Sequence, residues 1–216
     1  MAVQTESARL GDWLKWEQEG RMSRKAISVG AGDLKSGTVM GQITLGAATA
    51  TAFTINAAGT GACGTVTVGA GAKVGTYKVV ILDPVSGAGA FSVEDPDGII
   101  IGTGVVAGAF SAGGIGFTIA AGTPDFKAGE GFNIAVAAGT GLYIALDEDA
   151  TDGSAVAAGI LVGDVDASTA AADGVIIYQD ARIDTRNLIW ADAEAGTKTA
   201  ALAKFAQAGI VAGELG

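Results

Sequence analysis

The sequence contains no histidine, and this absence narrows the chemistry that the protein can perform. It lacks the only side chain that titrates near neutral pH at its unperturbed pKa, and with it every Ser–His or Cys–His nucleophile. Its single cysteine, Cys63, forms no intrachain disulfide and has no cationic sequence neighbour that would favour a thiolate. Enzymes without histidine exist, but this composition lowers the expectation of catalysis.

Aromatic residues and long apolar runs are also scarce. Aromatics make up 6 % of the chain while hydrophobic residues make up 49 %, so we expect a core built mainly from Val, Ile, Leu and Ala. No stretch reaches the roughly 18 uninterrupted apolar residues of a membrane-spanning helix, so we expect no membrane association. The first ten residues, "MAVQTESARL", lack a basic region followed by an apolar one, and no secretory signal is expected.

Positive charge is scarce outside the first part of the chain. The formal net charge is −10, divided as +1 over residues 1–44, −3 over residues 45–140 and −8 over residues 141–216. An acidic surface repels phosphate backbones, and no basic stripe with interleaved aromatics compensates for it. Direct binding to nucleic acid is therefore not expected.

What the chain does contain is a series of short β-branched runs. Between residues 45 and 140 they read "GTVTV", "GTYKVVIL", "AFSVED", "GIIIGTGVV", "GIGFTIA" and "GFNIAVA", separated by turns rich in Gly, Pro and Asp. Regularly spaced short strands with turn signals between them are typical of an all-β sandwich or barrel. The turn "EDPDG" (94–98) is one such signal, with Pro96 fixing φ and Gly98 allowing a positive φ.

The flanking sections have more mixed character. "RKAISV" and "GTVMGQI" alternate like strands, as do "GLYIALD", "AVAAGILVGDV" and "GVIIYQDARI". The spacing of Leu202, Phe205 and Ala206 predicts a helix over 198–208 with Thr197 as its N-cap. Gly209 is expected to end that helix in the left-handed conformation, with Ile210 folding back onto Phe205.

Three motifs resemble ligand sites but have simpler interpretations. "GTGACG" (59–64) has the letters of a dinucleotide fingerprint, yet "TVTVG" follows it where a helix is required. "DEDATDG" (147–153) lacks the spacing of a calcium loop, and Asp152–Gly153 is better interpreted as a hairpin turn. The numerous carboxylates, Asp164 and Asp166 among them, are assigned to solvated faces and given no acid–base role.

Two of the three tryptophans, Trp13 and Trp16, lie three residues apart near the N-terminus. They share a face if the segment is helical and oppose each other if it is a strand. They either close one end of the protein's own core or contact another protein, where Trp is enriched as an anchor. The local pattern leaves both interpretations open.

The C-terminal section carries a family resemblance. "DATDGSAVAAGIL" (149–161), "IIYQDARIDTRNLIW" (176–190) and the Ala-rich segment that runs into "AGIV" (208–211) resemble the head decoration proteins of lambda-type bacteriophages. The front section, residues 12–44, is similar to longer members of that family. The resemblance covers about half of the chain, and it depends on the order and spacing of these elements.

The resemblance implies a mainly β fold: a β-clip-like decoration domain formed by 1–44 and 141–216, with one C-terminal helix. Residues 45–140 have no counterpart in the compact family member, so we interpret them as an inserted all-β, sandwich- or barrel-like domain. Such an insertion is tolerated when its ends lie close together, here at Thr44 and Leu142.

The resemblance also implies a function that is not enzymatic, so we expect no cofactor and no metal ion. Such proteins bind as homotrimers to the major capsid protein on the outer surface of the expanded head, at three-fold and quasi-three-fold positions. There they stabilise the shell against the pressure of packaged DNA. The protein would be made in the bacterial cytoplasm and then reside on the virion.

Two groups of residues follow from the resemblance. Residues 1–12 are expected to form a flexible capsid-binding arm that adds a strand to capsid elements, with the tryptophan pair at its base. The expected capsid-binding residues are Val3, Thr5, Leu10, Trp13 and Trp16. The expected core of the family motif is Ile160, Leu161, Tyr178, Leu188, Trp190 and Phe205.

Two functions other than decoration are alternatives. The Gly-, Ala- and Thr-rich middle section suggests a surface adhesin or a carbohydrate-binding β-module. An enzyme that works through paired carboxylates is the other alternative. The missing signal peptide and the few aromatics argue against the first, and the lack of a supporting site argues against the second.

Overall fold

A computed structural model describes residues 9–19, 22–54, 60–85, 89–191 and 194–213. The chain divides into two compact units, the outer unit (1–43 and 141–216) and the middle unit (44–140). The described residues are mainly β, with one long helix near the C-terminus, so the predicted fold class is confirmed. No helix among them is long and apolar enough to cross a membrane.

The elements follow one another in three groups. The first part of the outer unit contains α1 (Leu10–Trp13), β1 (Leu14–Glu17), β2 (Arg24–Val29), β3 (Gly32–Leu34) and β4 (Val39–Gln42). The middle unit contains β5 (Leu45–Ala52), β6 (Ala62–Cys63), β7 (Thr67–Val68), β8 (Gly75–Asp83), β9 (Ala90–Glu94), β10 (Ile100–Val105), β11 (Ala109–Ala112), β12 (Ile115–Ala120) and β13 (Gly131–Ala138). The second part of the outer unit contains β14 (Tyr143–Ala145), β15 (Ala157–Leu161), β16 (Val165–Ala167), β17 (Ala172–Ile177), β18 (Ala181–Asp184), a 3₁₀ helix (Thr185–Asn187), α2 (Ala195–Gln207) and β19 (Ile210–Gly213).

The outer unit is built on a small closed barrel. Its five strands follow the order β14-β2-β17-β15-β4. A three-stranded sheet, β1-β18-β19, and a two-stranded ribbon, β16-β3, complete the unit. One apolar cluster, which includes Met40, Leu161 and Ile176, lies among the barrel strands, and a second joins β15 to α1, α2 and the three-stranded sheet.

The chain leaves and re-enters the outer unit at adjacent points. Gly141 donates its backbone N–H to the Ile43 carbonyl at 2.9 Å, and Ile43 donates to the Leu142 carbonyl at the same distance. The two ends of the 44–140 segment are therefore held side by side by backbone hydrogen bonds within the outer unit.

The middle unit is a sandwich of two antiparallel sheets. One has the order β10-β9-β8-β13-β5, and the other has the order β11-β12-β6, with β7 paired to β12. One buried cluster takes side chains from both sheets, including three phenylalanine rings, Phe91, Phe110 and Phe117, whose centroids lie 5.1–5.9 Å apart. Gly104 makes room for this packing, because a Cβ there would lie 2.4 Å from the Phe91 ring.

The turn at 94–98 forms as predicted. Gly98 has a φ of +81°, and the Asp95 carboxylate accepts the backbone N–H groups of Asp97 and Ile99. Lys73 donates to the same carboxylate at 2.5 Å, and these hydrogen bonds, led by that of Lys73, lower the pKa of Asp95.

The C-terminal helix is partly as predicted. It begins at Ala195, and Thr197 is not its N-cap: that position is Glu194, whose N–H donates to the Glu148 carboxylate at 2.7 Å. Ala206 is exposed, because Ala201 and Phe205 form the buried stripe instead. Gly209 has a φ of +75° and is followed by buried Ile210, so the predicted helix end is confirmed.

Candidate functional site: an exposed sheet face in the outer unit

Trp13 is locked into the core of the outer unit. Its side chain is 0 % exposed, and its indole Nε1–H donates to Ser36 Oγ at 3.0 Å. Ser36 Oγ donates in turn to the Val162 carbonyl at 2.8 Å, so the buried indole has its hydrogen-bond partner. Gly37, with a φ of +90°, lies against the ring, since a Cβ there would come within 3.1 Å of Trp13 Cδ1. Trp13 thus has no surface to offer to a capsid, and its assignment as a capsid-binding residue is corrected to a core residue.

Trp16 is exposed although it lies only three residues from the buried Trp13. The chain changes from α1 to β1 after Trp13, and a β-bulge interrupts the pairing of β1 with β18 between Leu14 and Trp16. The bulge turns Trp16 away from the core, and its side chain is 52 % exposed. One tryptophan therefore closes the core, and the other lies on the surface.

A row of side chains crosses the outer face of the three-stranded sheet. Trp16 pairs with Arg182 across the β1–β18 ladder, and Arg182 pairs with Val211 across the β18–β19 ladder. Side chains at paired positions share a face, so these three residues lie side by side. Arg182 is exposed and Val211 is 61 % exposed. We call Trp16, Arg182 and Val211 the outer row.

The opposite face of the same sheet is buried. Ala181, Ile183 and Ile210 belong to the apolar cluster that also contains Trp13 and Phe205. One face of the sheet therefore packs against the core, and the outer row lies on its exposed face. A rigid, pre-organised surface loses little conformational entropy when a partner binds it.

Ionic and hydrogen-bonded links fix the C-terminal end of β1. Glu17 accepts two hydrogen bonds from the Arg24 guanidinium, at 2.6 and 2.8 Å, and this pairing raises the pKa of Arg24. Ser23 is fully buried; its hydroxyl donates to the Asp180 carbonyl at 2.7 Å and accepts the Gln18 N–H. These links hold β1 against β2 and β18.

Arg182 differs from Arg24 because its guanidinium has no acceptor among the residues that the structure describes. It lies beside the Trp16 position, with the apolar Val211 on its other side. In the order of the sheet, β1 and β19 form its two edges within the described ranges. The face can therefore provide an aromatic surface, a free cation and strand edges, all of which suit binding to another protein.

The other expected capsid-binding residues fall in different places. Val3 and Thr5 lie outside the described residues. Leu10 is half-buried and packs against the cluster that holds Trp13. Of the three that the structure describes, Trp16 is the one exposed on the sheet.

The expected core residues of the family motif lie in the two apolar clusters of the outer unit. Ile160, Leu188 and Phe205 are buried in the cluster with Trp13, and half-buried Trp190 packs against it. Leu161 is buried in the barrel cluster, with half-buried Tyr178 packed against it. The Lys198 ammonium lies 5.9 Å from the Trp190 ring centroid, within cation–π range.

The ligand-like motifs have structural explanations. "GTGACG" runs into strand β6, and the Cys63 thiol there has its pKa raised by burial. In the "DEDATDG" loop, Asp147 and Asp152 accept the backbone N–H groups of Asp149 and Ser154, which makes both carboxylates part of local turns. The loop does not close a hairpin as predicted, because β14 and β15 each pair with β4.

Sequence reasoning missed the outer row as a unit. Arg182 and Val211 both lie in segments that carry the family resemblance, but nothing local indicates that they are neighbours. Their pairing arises because β18 and β19 are parallel strands joined through α2. The alternation of exposed Arg182 with buried Ala181 and Ile183 was the one available signal.

A mainly β body with an open, rigid sheet face is typical of a structural protein that binds other proteins. Comparison with known families identifies which one: the sequence model of the bacteriophage lambda head decoration protein D family matches residues 3–210. The chain belongs to this family, and the family resemblance predicted from the sequence is confirmed. Proteins of this family are structural components of the virion capsid.

Other comparisons add little. No curated protein matches the chain. Two crystal structures of FlgL from Xanthomonas campestris, in space groups H3 and C2, are similar to part of it, each with a TM-score of 0.33 and 20 % identity. They cover 48 % and 46 % of this chain but only 33 % and 31 % of FlgL, so this chain matches about a third of the FlgL length. A similarity this weak carries no argument about fold or function.

Proposed function

We propose that the protein binds the outer surface of the expanded phage head as a homotrimer, at three-fold and quasi-three-fold positions. Bound there, it stabilises the shell against the pressure of packaged DNA. In this proposal 1–44 and 141–216 form the decoration domain, and 45–140 is an inserted domain. The observation that carries the proposal is the outer row, an exposed Trp–Arg–Val face on a sheet whose other side is buried.

The outer row suits a protein partner more than a small ligand. Trp and Arg are enriched among the few interface residues that dominate binding energy. The Trp16 ring and Val211 offer apolar area, and the free Arg182 guanidinium can form a bidentate pair with a carboxylate of the partner. Because the net charge of the chain is −10, an exposed cation here reduces repulsion from an acidic partner surface.

We also propose that the capsid-binding arm lies within residues 1–12, the last of which, from Leu10, belong to helix α1. Trp13 and its bond to Ser36 anchor the segment in the core immediately after the arm. The Asn187 amide, which donates to the Asp12 carbonyl at 2.9 Å, fixes the same point from the 3₁₀ helix. An arm that orders on the capsid would thus transmit load directly into the core of the outer unit.

Binding to isolated phage heads tests the proposal. We expect purified protein to co-sediment with expanded shells but not with unexpanded ones, and to be a trimer by light scattering. Trp16→Ala and Arg182→Ala should each weaken binding by at least about tenfold, the loss typical of an interface anchor. Val156→Ala is the matched control, because Val156 is 54 % exposed in the outer unit but lies outside the outer row.

The arm is tested separately by deleting residues 2–8, which stops short of α1 and leaves Trp13 in place. We expect weaker capsid binding with an unchanged trimer. Normal decoration by this variant would refute the arm. Full binding by both outer-row variants would instead refute the outer row as the capsid-binding surface.

A further inference from the structure

A shallow groove opens on the five-stranded sheet of the middle unit. Its volume is about 510 Å³, and its lining includes Thr51, Phe53, Lys78, Val80 and Asn133. Residues of three neighbouring strands or their extensions meet here, from β5, β13 and β8. All of them belong to the middle unit, so the groove is independent of the outer row.

The groove lies on the side of the sheet that faces away from the core. Along β8, Tyr77 and Val79 are buried in the sandwich, while Lys78 and Val80 alternate with them. Thr51, Asn133 and Lys78 occupy paired positions across β5, β13 and β8, so they form one row on that outer side.

Phe53 is placed unusually for this protein. The six other phenylalanines are all buried, whereas Phe53 is half-buried. Its N–H donates to the Gly131 carbonyl at 2.9 Å, which extends the β5–β13 pairing. A Cβ on Gly131 would lie 1.9 Å from the Val79 carbonyl oxygen and 3.1 Å from Phe53 Cε2, so only glycine fits between the Val79 backbone and the ring. An aromatic ring is thereby presented at the groove instead of in the core.

Three polar side chains of the groove are available to hydrogen-bond a ligand. The Thr51 hydroxyl, the Lys78 ammonium and the Asn133 amide have no hydrogen-bond or ionic partner among the residues that the structure describes. None of the described residues that line the groove carries a carboxylate. An aromatic ring with free donors and acceptors around it is a surface that can satisfy many hydroxyl groups at once.

We propose that this groove binds a glycan, with a sugar ring against Phe53 and its hydroxyl groups hydrogen-bonded to Thr51, Lys78 and Asn133. A purely apolar ligand would leave Lys78 and Asn133 desolvated without partners, which is costly. A nucleic acid is disfavoured by the net charge of −10. The groove is a second binding function on a protein that already binds the capsid, and it does not depend on that binding.

The test uses the full-length protein on an array of neutral oligosaccharides of two to six hexoses, together with acidic oligosaccharides that contain uronic or sialic acid. We expect binding to at least one glycan. Phe53→Ala and Asn133→Ala should each weaken it by about tenfold or more, as loss of an anchor residue does. Lys78→Ala should weaken binding of acidic glycans more than of neutral ones, because it removes a positive charge from the groove.

Thr103→Ala is the matched control, since Thr103 is exposed on the same sheet, on β10, away from the groove. Circular dichroism establishes that each variant is folded, and Asn133→Ala serves alone if Phe53→Ala does not fold. Absence of binding to either array would overturn the proposal. So would glycan binding that Phe53→Ala and Asn133→Ala leave unchanged, or binding of a peptide but not of any glycan.

Discussion

The two units differ in how the chain builds them. The middle unit is one continuous segment, whereas the outer unit is assembled from two segments separated by the whole of the middle unit. Its barrel closes only when β4 of the first segment pairs with β14 and β15 of the second. The outer unit therefore depends on contacts between residues far apart in sequence, which cost more chain entropy to form than local contacts.

The units differ as well in what they present to solvent. The outer unit exposes a large aromatic and a free cation on a sheet whose other face is buried. The middle unit presents a row of Thr51, Asn133 and Lys78, small or polar groups around one phenylalanine. The first face suits a protein surface, and the second suits a polyhydroxylated ligand. We therefore propose two kinds of recognition surface, one in each unit.

The largest expected effect is a loss of stability that is confined to the outer unit. Trp13→Ala should lower the free energy of unfolding of the outer unit by about 3–5 kcal/mol, because it leaves a large cavity and removes the partner of Ser36. Denaturant unfolding followed by Trp fluorescence and circular dichroism would measure the change. The transition of the middle unit should not move.

Trp16→Ala is the matched control for this prediction, with an expected change within about 0.5 kcal/mol, as for surface substitutions. Equal destabilisation by the two variants would contradict the assignment of Trp13 to the core and of Trp16 to the surface. A shift of both unfolding transitions would show that the two cores are not independent.

The next effect is a pH dependence specific to each unit. The Arg186 guanidinium, which donates to the Asp184 carboxylate at 2.8 and 3.1 Å, lowers the pKa of Asp184 from 3.8 to about 2. A pKa that is lower in the folded state stabilises the fold above the unfolded value, and this contribution is lost as pH falls. The outer unit should therefore lose stability between about pH 4 and pH 2.

Asp184→Asn should flatten that loss in the outer unit alone. Asp95→Asn should act in the same way on the middle unit, where hydrogen bonds led by that of Lys73 lower the pKa of Asp95. Chemical unfolding at a series of pH values measures both effects. If Asp184→Asn kept the full pH dependence of the outer unit, the ion pair would not be its source.

The smallest expected effect is that of removing the middle unit altogether. Replacing residues 44–140 by two glycines should change the stability of the outer unit by about 1 kcal/mol or less, since Ile43 and Gly141 are already hydrogen-bonded neighbours. Calorimetry of the shortened protein and of the isolated 44–140 segment would measure this. Aggregation of the shortened protein would mean that the inserted segment completes the outer core.

Much of the middle unit could be predicted from sequence because its strands alternate. "GTYKVVIL" and "GFNIAVA" contain buried residues at every second position, and they form β8 and β13. The helix end at Gly209 could be predicted for a similar reason, since only a local backbone preference is involved. The helix start could not, because the Glu194 N–H is satisfied by Glu148, far away in sequence.

The candidate site was less predictable. The spacing of Trp13 and Trp16 does not show that one of them meets Ser36 and the other pairs with Arg182. The bulge after which Trp16 is exposed arises from the pairing of β1 with β18. The letters "DWLKW" do not indicate it. The outer row further requires β19 to return beside β18 after α2.

Hydrogen–deuterium exchange of the full-length protein, free and bound to expanded phage heads, tests the outer row as the capsid-binding surface. We expect slower exchange of backbone amides in β1 and β19 on binding, with the amides of β5, β8 and β13 unchanged. Protection confined to residues 44–140, with β1 and β19 exchanging as in the free protein, would contradict this assignment.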